Sequence, residues 1–313
     1  MMYITKILTI NKGLMRLNSG LGLSNQQTNL CSSVAIIITT RNRFDDLSST
    51  LSNLLDLGLE NLAIYIIDDF SDTPIASHDI ISKFKKLQIK RNSECKGLIV
   101  NRNELASWAK EDVLISLDDD SCFVTIPNFI DLLDRFNSNI NLCAVEFDNI
   151  DPPLKTGSKV LDDELVQMYT GFGHAVRRSY FLHIGGYREF FYHMCEEIDF
   201  GQRAWTKGYQ IRKYRKIQVL HRKTPVARIH DRNVYYWCRN TIFLNMANLG
   251  VYRILWLPIM VLSMCSVLKI TKKRRFLAMK GICSGLFCLF KYRADIHPMS
   301  LYQAWQYRKL AQR

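Results

Sequence analysis

Residues 113–121 read VLISLDDDS: an apolar run of strand length, Val113 to Leu117, that ends in three adjacent carboxylates, Asp118, Asp119 and Asp120. A run with little polar alternation suits a parallel strand covered on both faces. Like charges this close repel and raise one another's pKa, so something positive belongs beside them. In an extended or turning segment the first and third residues can point to one side, which lets Asp118 and Asp120 share a divalent cation. Hard oxygen donors suit Mg²⁺ or Mn²⁺. A solvated acidic loop is the plain alternative.

Outward from this stretch the same rhythm recurs. VAIII (34–38) is a second apolar run, followed by the polar TTRNR and then by Phe44, Leu47, Leu51, Leu54 and Leu55 at helical spacing. LAIYII (62–67) ends in Asp68 and Asp69. Further helices are predicted over 98–108 and 129–136, strands over 142–147 and 217–220, and a Tyr/Trp/Arg-rich helix from about Asn233. Such alternation predicts an α/β fold with a Rossmann-like, mostly parallel central sheet flanked by helices. In open sheets of this kind the ligand crevice lies outside the carboxyl ends of the strands, where both acidic clusters fall. Neither a G-x-G-x-x-G fingerprint after Ile38 nor a G-x-x-x-x-G-K-[ST] loop is present, which counts against NAD, FAD and ATP sites of the usual kinds. A nucleotide whose diphosphate is held through a metal is favoured instead.

A third acidic group, Glu196, Glu197 and Asp199, falls on a predicted helix. Asp199 and Arg203 are four apart and can pair, while Glu197 turns aside, free to take a proton from an incoming hydroxyl. Ordinary surface charges would share this spacing. Residues 148–170 form a Pro-containing polar insertion suited to the acceptor side of a site.

The segments SVAIIITTRNR, IYIIDDFSDT, NSECKGLIVNRNELA, LISLDDDS and GFGHAVRRSYFLHIGGYREFFYHMCEEIDFGQRAWTKGY occur in this order, and in them the chain resembles the family 2 glycosyltransferases of GT-A fold over about residues 33–240. The resemblance implies that Asp69, with Asp68, holds the uracil or thymine end of a nucleotide-sugar donor. Thr39 and Arg41 of the opening turn and Asp119 would add donor contacts, Arg102 would lie near the base or diphosphate, and Asp118 would bear on the ribose. Asp120 would be the firmer metal ligand, with Asp118, and His221 would approach the metal or diphosphate. Glu197 falls where the family places its base, usually an Asp; Glu196 is the other candidate. His174, Arg177, Asp199 and Arg203 would orient the acceptor or its segment. The implied activity is inverting transfer of a sugar from a UDP- or dTDP-sugar to a glycan or lipid-linked acceptor, dependent on Mn²⁺ or Mg²⁺, in bacterial cell-surface polysaccharide assembly. A non-catalytic binding or scaffold protein of the same fold is the alternative.

Charge divides the 313 residues unevenly. Residues 1–206 carry 20 Lys and Arg against 27 Asp and Glu, whereas residues 207–313 carry 22 against only Asp231 and Asp295. A net charge of +13 would invite nucleic acid, yet no zinc-finger, RRM-like or helix-turn-helix signature accompanies it. The basic residues instead flank two apolar stretches, 254–268 and 276–290. Fifteen residues fall short of a bilayer crossing, so these stretches are expected to lie in a membrane interface, with Arg253, Lys269, Lys272 to Arg275, Lys291 and Arg293 at anionic headgroups. A buried helical hairpin with no membrane contact, Trp256 and Phe287 being core, is the alternative. The nine scattered cysteines, with no C-x-x-C pair, and the lack of a visible secretory signal suggest the cytoplasm, peripheral on the inner face of the cell membrane. The expected organisation is an N-terminal arm (1–32), a catalytic domain (33–240, divided at 147/148 into nucleotide-sugar and acceptor halves) and a basic, apolar, helical membrane-associating extension (241–313).

Overall fold

The computed structural model describes residues 33–150, 161–222, 230–249 and 272–310. The expected N-terminal arm, the apolar stretch 254–268 and residues 151–160 of the insertion lie outside the described residues.

The order of elements is β1 (Val34–Thr40), α1 (Phe44–Asp56), β2 (Ala63–Asp68), α2 (Asp79–Ser82), β3 (Leu87–Arg91), α3 (Leu98–Trp108), β4 (Val113–Asp118), β5 (Ser121–Phe123), α4 (Phe129–Ser138) and β6 (Leu142–Ile150). It continues through β7 (His174–Arg177), α5 (Arg178–Ile184), α6 (Glu196–Thr206), β8 (Gln210–His221), α7 (His230–Asn248), α8 (Lys272–Lys291) and α9 (Leu301–Leu310). Alternation along β1 sends Val34, Ile36 and Ile38 to one face, against Leu47 and Leu51 of α1 and Phe136 of α4. Ala35 and Ile37 face the other side, with Leu105 of α3, Phe181 of α5, Phe200 of α6 and Phe243 of α7. Both faces are therefore dry, which is why β1, β2 and β4 read as unbroken apolar runs.

The eight strands form one sheet in the order β3-β2-β1-β4-β7-β6-β8-β5. The expectation of a mostly parallel sheet needs correction, because the sheet is mixed. β3, β2, β1 and β4 are parallel, but β7 runs antiparallel to both β4 and β6, and β5 antiparallel to β8. The strands that break the pattern are the ones with little periodicity to read: four residues of β7 and three of β5. β8, expected only over 217–220, spans 12 residues, QIRKYRKIQVLH, in which Arg212, Lys213, Arg215 and Lys216 interrupt the buried Ile211, Tyr214 and Ile217, and Lys213 is itself buried.

The expected basic, apolar helical extension is corrected as well, since its described helices do not extend from the body. Where described, α8 and α9 are mixed basic and apolar helices seated on the body. α8 packs on α7 through Ala278 and Ile282 against Cys238 and Ile242. α9 packs Tyr307 against Trp205 of α6, whose Nε1 donates to the Gln303 carbonyl at 3.1 Å. Among the described residues no helix is long and apolar enough to cross a membrane.

Candidate functional site

The parallel register sets Thr39 opposite Asp118 of β4 and Thr40 opposite Asp68 of β2, so three strands deliver their polar residues to one edge of the sheet. Thr40 Oγ1 donates to Asp119 Oδ2 at 2.9 Å. The positive partner that the acidic trio requires is Arg43, whose guanidinium lies 2.8 Å from Asp119 Oδ1, 2.7 Å from Asp120 Oδ2 and 3.0 Å from Asp46. Burial pushes the Asp119 pKa up to about 7, against the pull of Arg43. Burial also works against charge on Asp120, but hydrogen bonds from His221 and Arg43 outweigh it and hold this carboxyl well below the usual range.

Pairing of β5 with β8 sets His221 opposite Ser121, next to the trio. Its Nε2 lies 3.0 Å from Asp120 Oδ1. One donor atom each from Asp118, Asp120 and His221 fall within 4.8 Å of one another, close enough to share an ion. Two carboxylates and an imidazole fit a divalent cation, and the nitrogen donor suits Mn²⁺ better than Mg²⁺.

Arg102, on α3, joins this cluster to the third acidic group. It is buried, and Nη2 donates to Asp118 Oδ1 at 2.9 Å and to the Gly171 carbonyl at 2.7 Å. Nη1 stands 3.4 Å from Glu197 Oε1 and 3.5 Å from Glu196 Oε1. Burial disfavours its charge, yet Asp118, Tyr187, Glu197 and Glu196 together raise its pKa above the ordinary value. One guanidinium cannot neutralise two adjacent glutamates. Burial and the Glu196 charge push Glu197 up to about 8 despite Arg102, and Glu196 Oε2 is buried without a hydrogen-bond partner. Gly171 lets Glu197 lie close against the backbone, since a Cβ there would make Glu197 Oε1 shift.

A cleft of about 210 Å³ is lined by Thr39, Thr40, Arg41, Arg43, Asp69, Leu98, Asn101, Asp118 and Asp119. Expected donor residues Thr39, Arg41, Asp69, Asp118 and Asp119 thus meet in one place. Asp69, however, is largely occupied. It accepts from the backbone N–H groups of Lys96 and Gly97 at 2.8 and 2.9 Å and from Asn92 Nδ2 at 2.9 Å. Burial opposes its charge, but these bonds and one from Asn101 lower its pKa. Asp68 accepts from Arg91 and the Ser71 N–H, and does not line the cleft. A larger cavity, about 880 Å³, lies at the other end of α6, beside Thr206 and Lys207, and includes none of the acidic clusters.

Three expected orienting residues are struts. Arg177 sits opposite Val113, at the far end of β4 from Asp118, and donates to the carbonyls of Phe136 and Leu142. Asp199 is fully buried between Arg188 (2.6 Å), Arg203 (2.7 Å) and Asn248 Nδ2 (2.8 Å). Arg203 also donates to the carbonyls of Ile184 and Gly186. His174 is buried, stacked on Tyr169 at 4.1 Å and bonded through Nδ1 to the Thr170 carbonyl; burial, reinforced by Arg102, takes its pKa down to about 3 and keeps it neutral. Sequence reasoning missed Arg43, Asn92, Asn101, Arg188 and Asn248. Only Arg43 had a local signal, as the second arginine of TTRNR.

Residues 35–198 match the model of glycosyl transferase family 2, and the chain belongs to that family. Comparison with curated proteins returns no match. Three similar solved structures have the same fold. GalNAc-T7 with UDP, GalNAc and Mn²⁺ is 17% identical, with a TM-score of 0.56 over 71% of this chain and 49% of its own. Mannosyltransferase PcManGT from Pyrobaculum calidifontis with GDP-Man and Mn²⁺ is 13% identical, at 0.52 over 90% and 79%. S. aureus TarS 1–349 with UDP-GlcNAc is 12% identical, at 0.51 over 68% and 66%. The chain thus spans about half the length of the GalNAc-T7 chain.

Proposed function

We propose that the protein is an inverting glycosyltransferase that moves a sugar from a UDP- or dTDP-sugar to a hydroxyl of a glycan or lipid-linked acceptor, in bacterial cell-surface polysaccharide assembly. The observation that carries this reading is the convergence of Asp118, Asp120 and His221 with Glu196 and Glu197 around Arg102. Support for a nucleoside-diphosphate-sugar donor comes from family membership and from the UDP, UDP-GlcNAc and GDP-Man held by the similar structures.

On this reading the cleft beside Thr39, Arg41 and Asp118 takes the nucleotide, with Asp69 bracing its wall through the 92–97 loop. Asp118, Asp120 and His221 would hold a divalent cation, which offsets charge developing on the departing diphosphate. Arg102 fixes Asp118 relative to the two glutamates. Ionised Glu197, or Glu196 in its place, takes the acceptor hydroxyl proton as that oxygen bonds to the anomeric carbon. The bond from that carbon to the diphosphate oxygen breaks, and configuration inverts. One base suffices, since the acceptor itself is the nucleophile. The site of action would be the cytoplasmic face of a membrane, where a soluble donor meets a membrane-borne acceptor.

Thermal-shift and hydrolysis screens of nucleotide-sugars, with and without Mn²⁺, test the reading. UDP or dTDP with Mn²⁺ should stabilise the protein. Asp120→Ala should abolish the metal-dependent part and cut turnover by at least about 10². Failure of every nucleoside diphosphate to bind with metal refutes the reading.

A further inference from the structure

α8 presents to solvent a face that is apolar and basic at once. Its other face is pinned: a Cβ at Gly281 would stand 2.5 Å from the Tyr235 carbonyl oxygen, and one at Gly285 2.6 Å from that of Arg239. These contacts, with Ala278, Ile282 and Cys288 buried on the same side, fix which residues face outward. Phe276, Met279, Phe287 and Phe290 are 69, 50, 66 and 74% exposed. With exposed Cys283 they recur every three or four residues, a single stripe about 20 Å long at 1.5 Å per residue. Lys280 lies along the stripe, Lys272, Lys273 and Arg275 flank its start, Lys291 closes it, and α8 contains no Asp or Glu.

A helix that merely faced water would show charges of both signs and bury its aromatics. The excess of cations selects an anionic partner, and the phenylalanines select one with an apolar layer directly beneath its charge. An anionic bilayer has both, at the depth a flat-lying amphipathic helix reaches. We propose that α8 is an interfacial helix, its Phe276–Phe290 stripe resting at the headgroup–acyl boundary of an anionic phospholipid membrane and its lysines at the phosphates. This gives the peripheral placement proposed above its contact surface, and rests on that placement rather than on the transfer chemistry.

Flotation of the full chain with vesicles of phosphatidylcholine alone, or mixed with phosphatidylglycerol, tests it. The protein should float with the anionic vesicles only, less at high salt. Phe276→Ser/Phe287→Ser/Phe290→Ser and Lys272→Glu/Lys280→Glu/Lys291→Glu should each bind at least about tenfold more weakly. Mn²⁺- and UDP-dependent thermal stabilisation, measured alongside, should be unchanged in both variants, so a failed membrane contact is separable from a failed donor site. As a variant that leaves the stripe intact, Phe287→Trp should add indole emission that shifts to shorter wavelength with anionic vesicles. Absence of flotation, equal flotation of the triple variants, an added emission in Phe287→Trp that anionic vesicles leave unshifted, or self-association through this face without lipid would each overturn the proposal.

Discussion

Glu197 is held where its charge is costly. With a pKa near 8 in the folded chain and 4.5 as its ordinary value, it keeps in the folded state a proton that the unfolded chain releases across that interval. Stability should therefore decline as pH rises from about 4.5 to 8 on account of this group. Glu197→Gln removes the burden, and should unfold with a free energy roughly 1–3 kcal/mol higher than the parent at pH 8, by urea titration. The same change should lower kcat by about 10² to 10⁴ with donor Kd little altered. In the parent, kcat/KM should climb with pH towards 8 and then level, because only the ionised carboxylate accepts a proton. Glu196→Gln, assayed in parallel, decides between the neighbours: an inactive Glu196 variant beside an active Glu197 variant would move the base by one residue.

At the scale of elements, α6 carries both glutamates at its start and is held through Asp199. That carboxylate ties α6 to Arg188 on the preceding loop and to Asn248 at the end of α7, while Arg203 returns to the carbonyls of Ile184, at the end of α5, and Gly186, just beyond it. Removing one member of a buried charged network leaves the others uncompensated, at about 3–5 kcal/mol. Asp199→Ala should lose stability on that scale by denaturant unfolding, and Asp199→Asn less, since the amide oxygen still accepts from one arginine. Donor and metal binding, measured by calorimetry on folded material at ~20 °C, close to the usual stability maximum, should be nearly intact, because Asp199 touches neither Asp118 nor Asp120. A large loss of donor affinity with unchanged stability would contradict this role.

At the scale of the molecule, the carboxyl-terminal helices complete the core rather than trail from it. α8 covers Cys238 and Ile242 of α7, and α9 covers the Trp205 side of α6, with Gln167 Nε2 donating to the Tyr307 carbonyl at 2.6 Å. Deleting residues 272–310 should uncover those surfaces and lower Tm by at least about 5 °C, or leave the protein insoluble. A deletion that retained the parent Tm would show α8 and α9 to be dispensable to the fold.

The local pattern alone determined β1, β2 and β4 with α1 and α3, because both faces of those strands are dry and both helices lie close beside them in the chain. It also marked the acidic residues at the strand ends, since carboxylates after an apolar strand are conspicuous wherever they fall. In the other half of the sheet it marked β6 and the end of β8 but not β5 or β7, which are too short to have a period, and cations obscure the pattern along the rest of β8. Partners were equally out of reach. Arg43 to Asp120, Arg102 to Glu197 and His221 to Asp120 are separated by 77, 95 and 101 positions and meet only when the sheet is assembled. Hence the residue types of the site were legible along the chain, while which carboxylate is neutralised, which keeps its proton and which merely braces a helix was decided by burial and by neighbours that only the tertiary structure supplies.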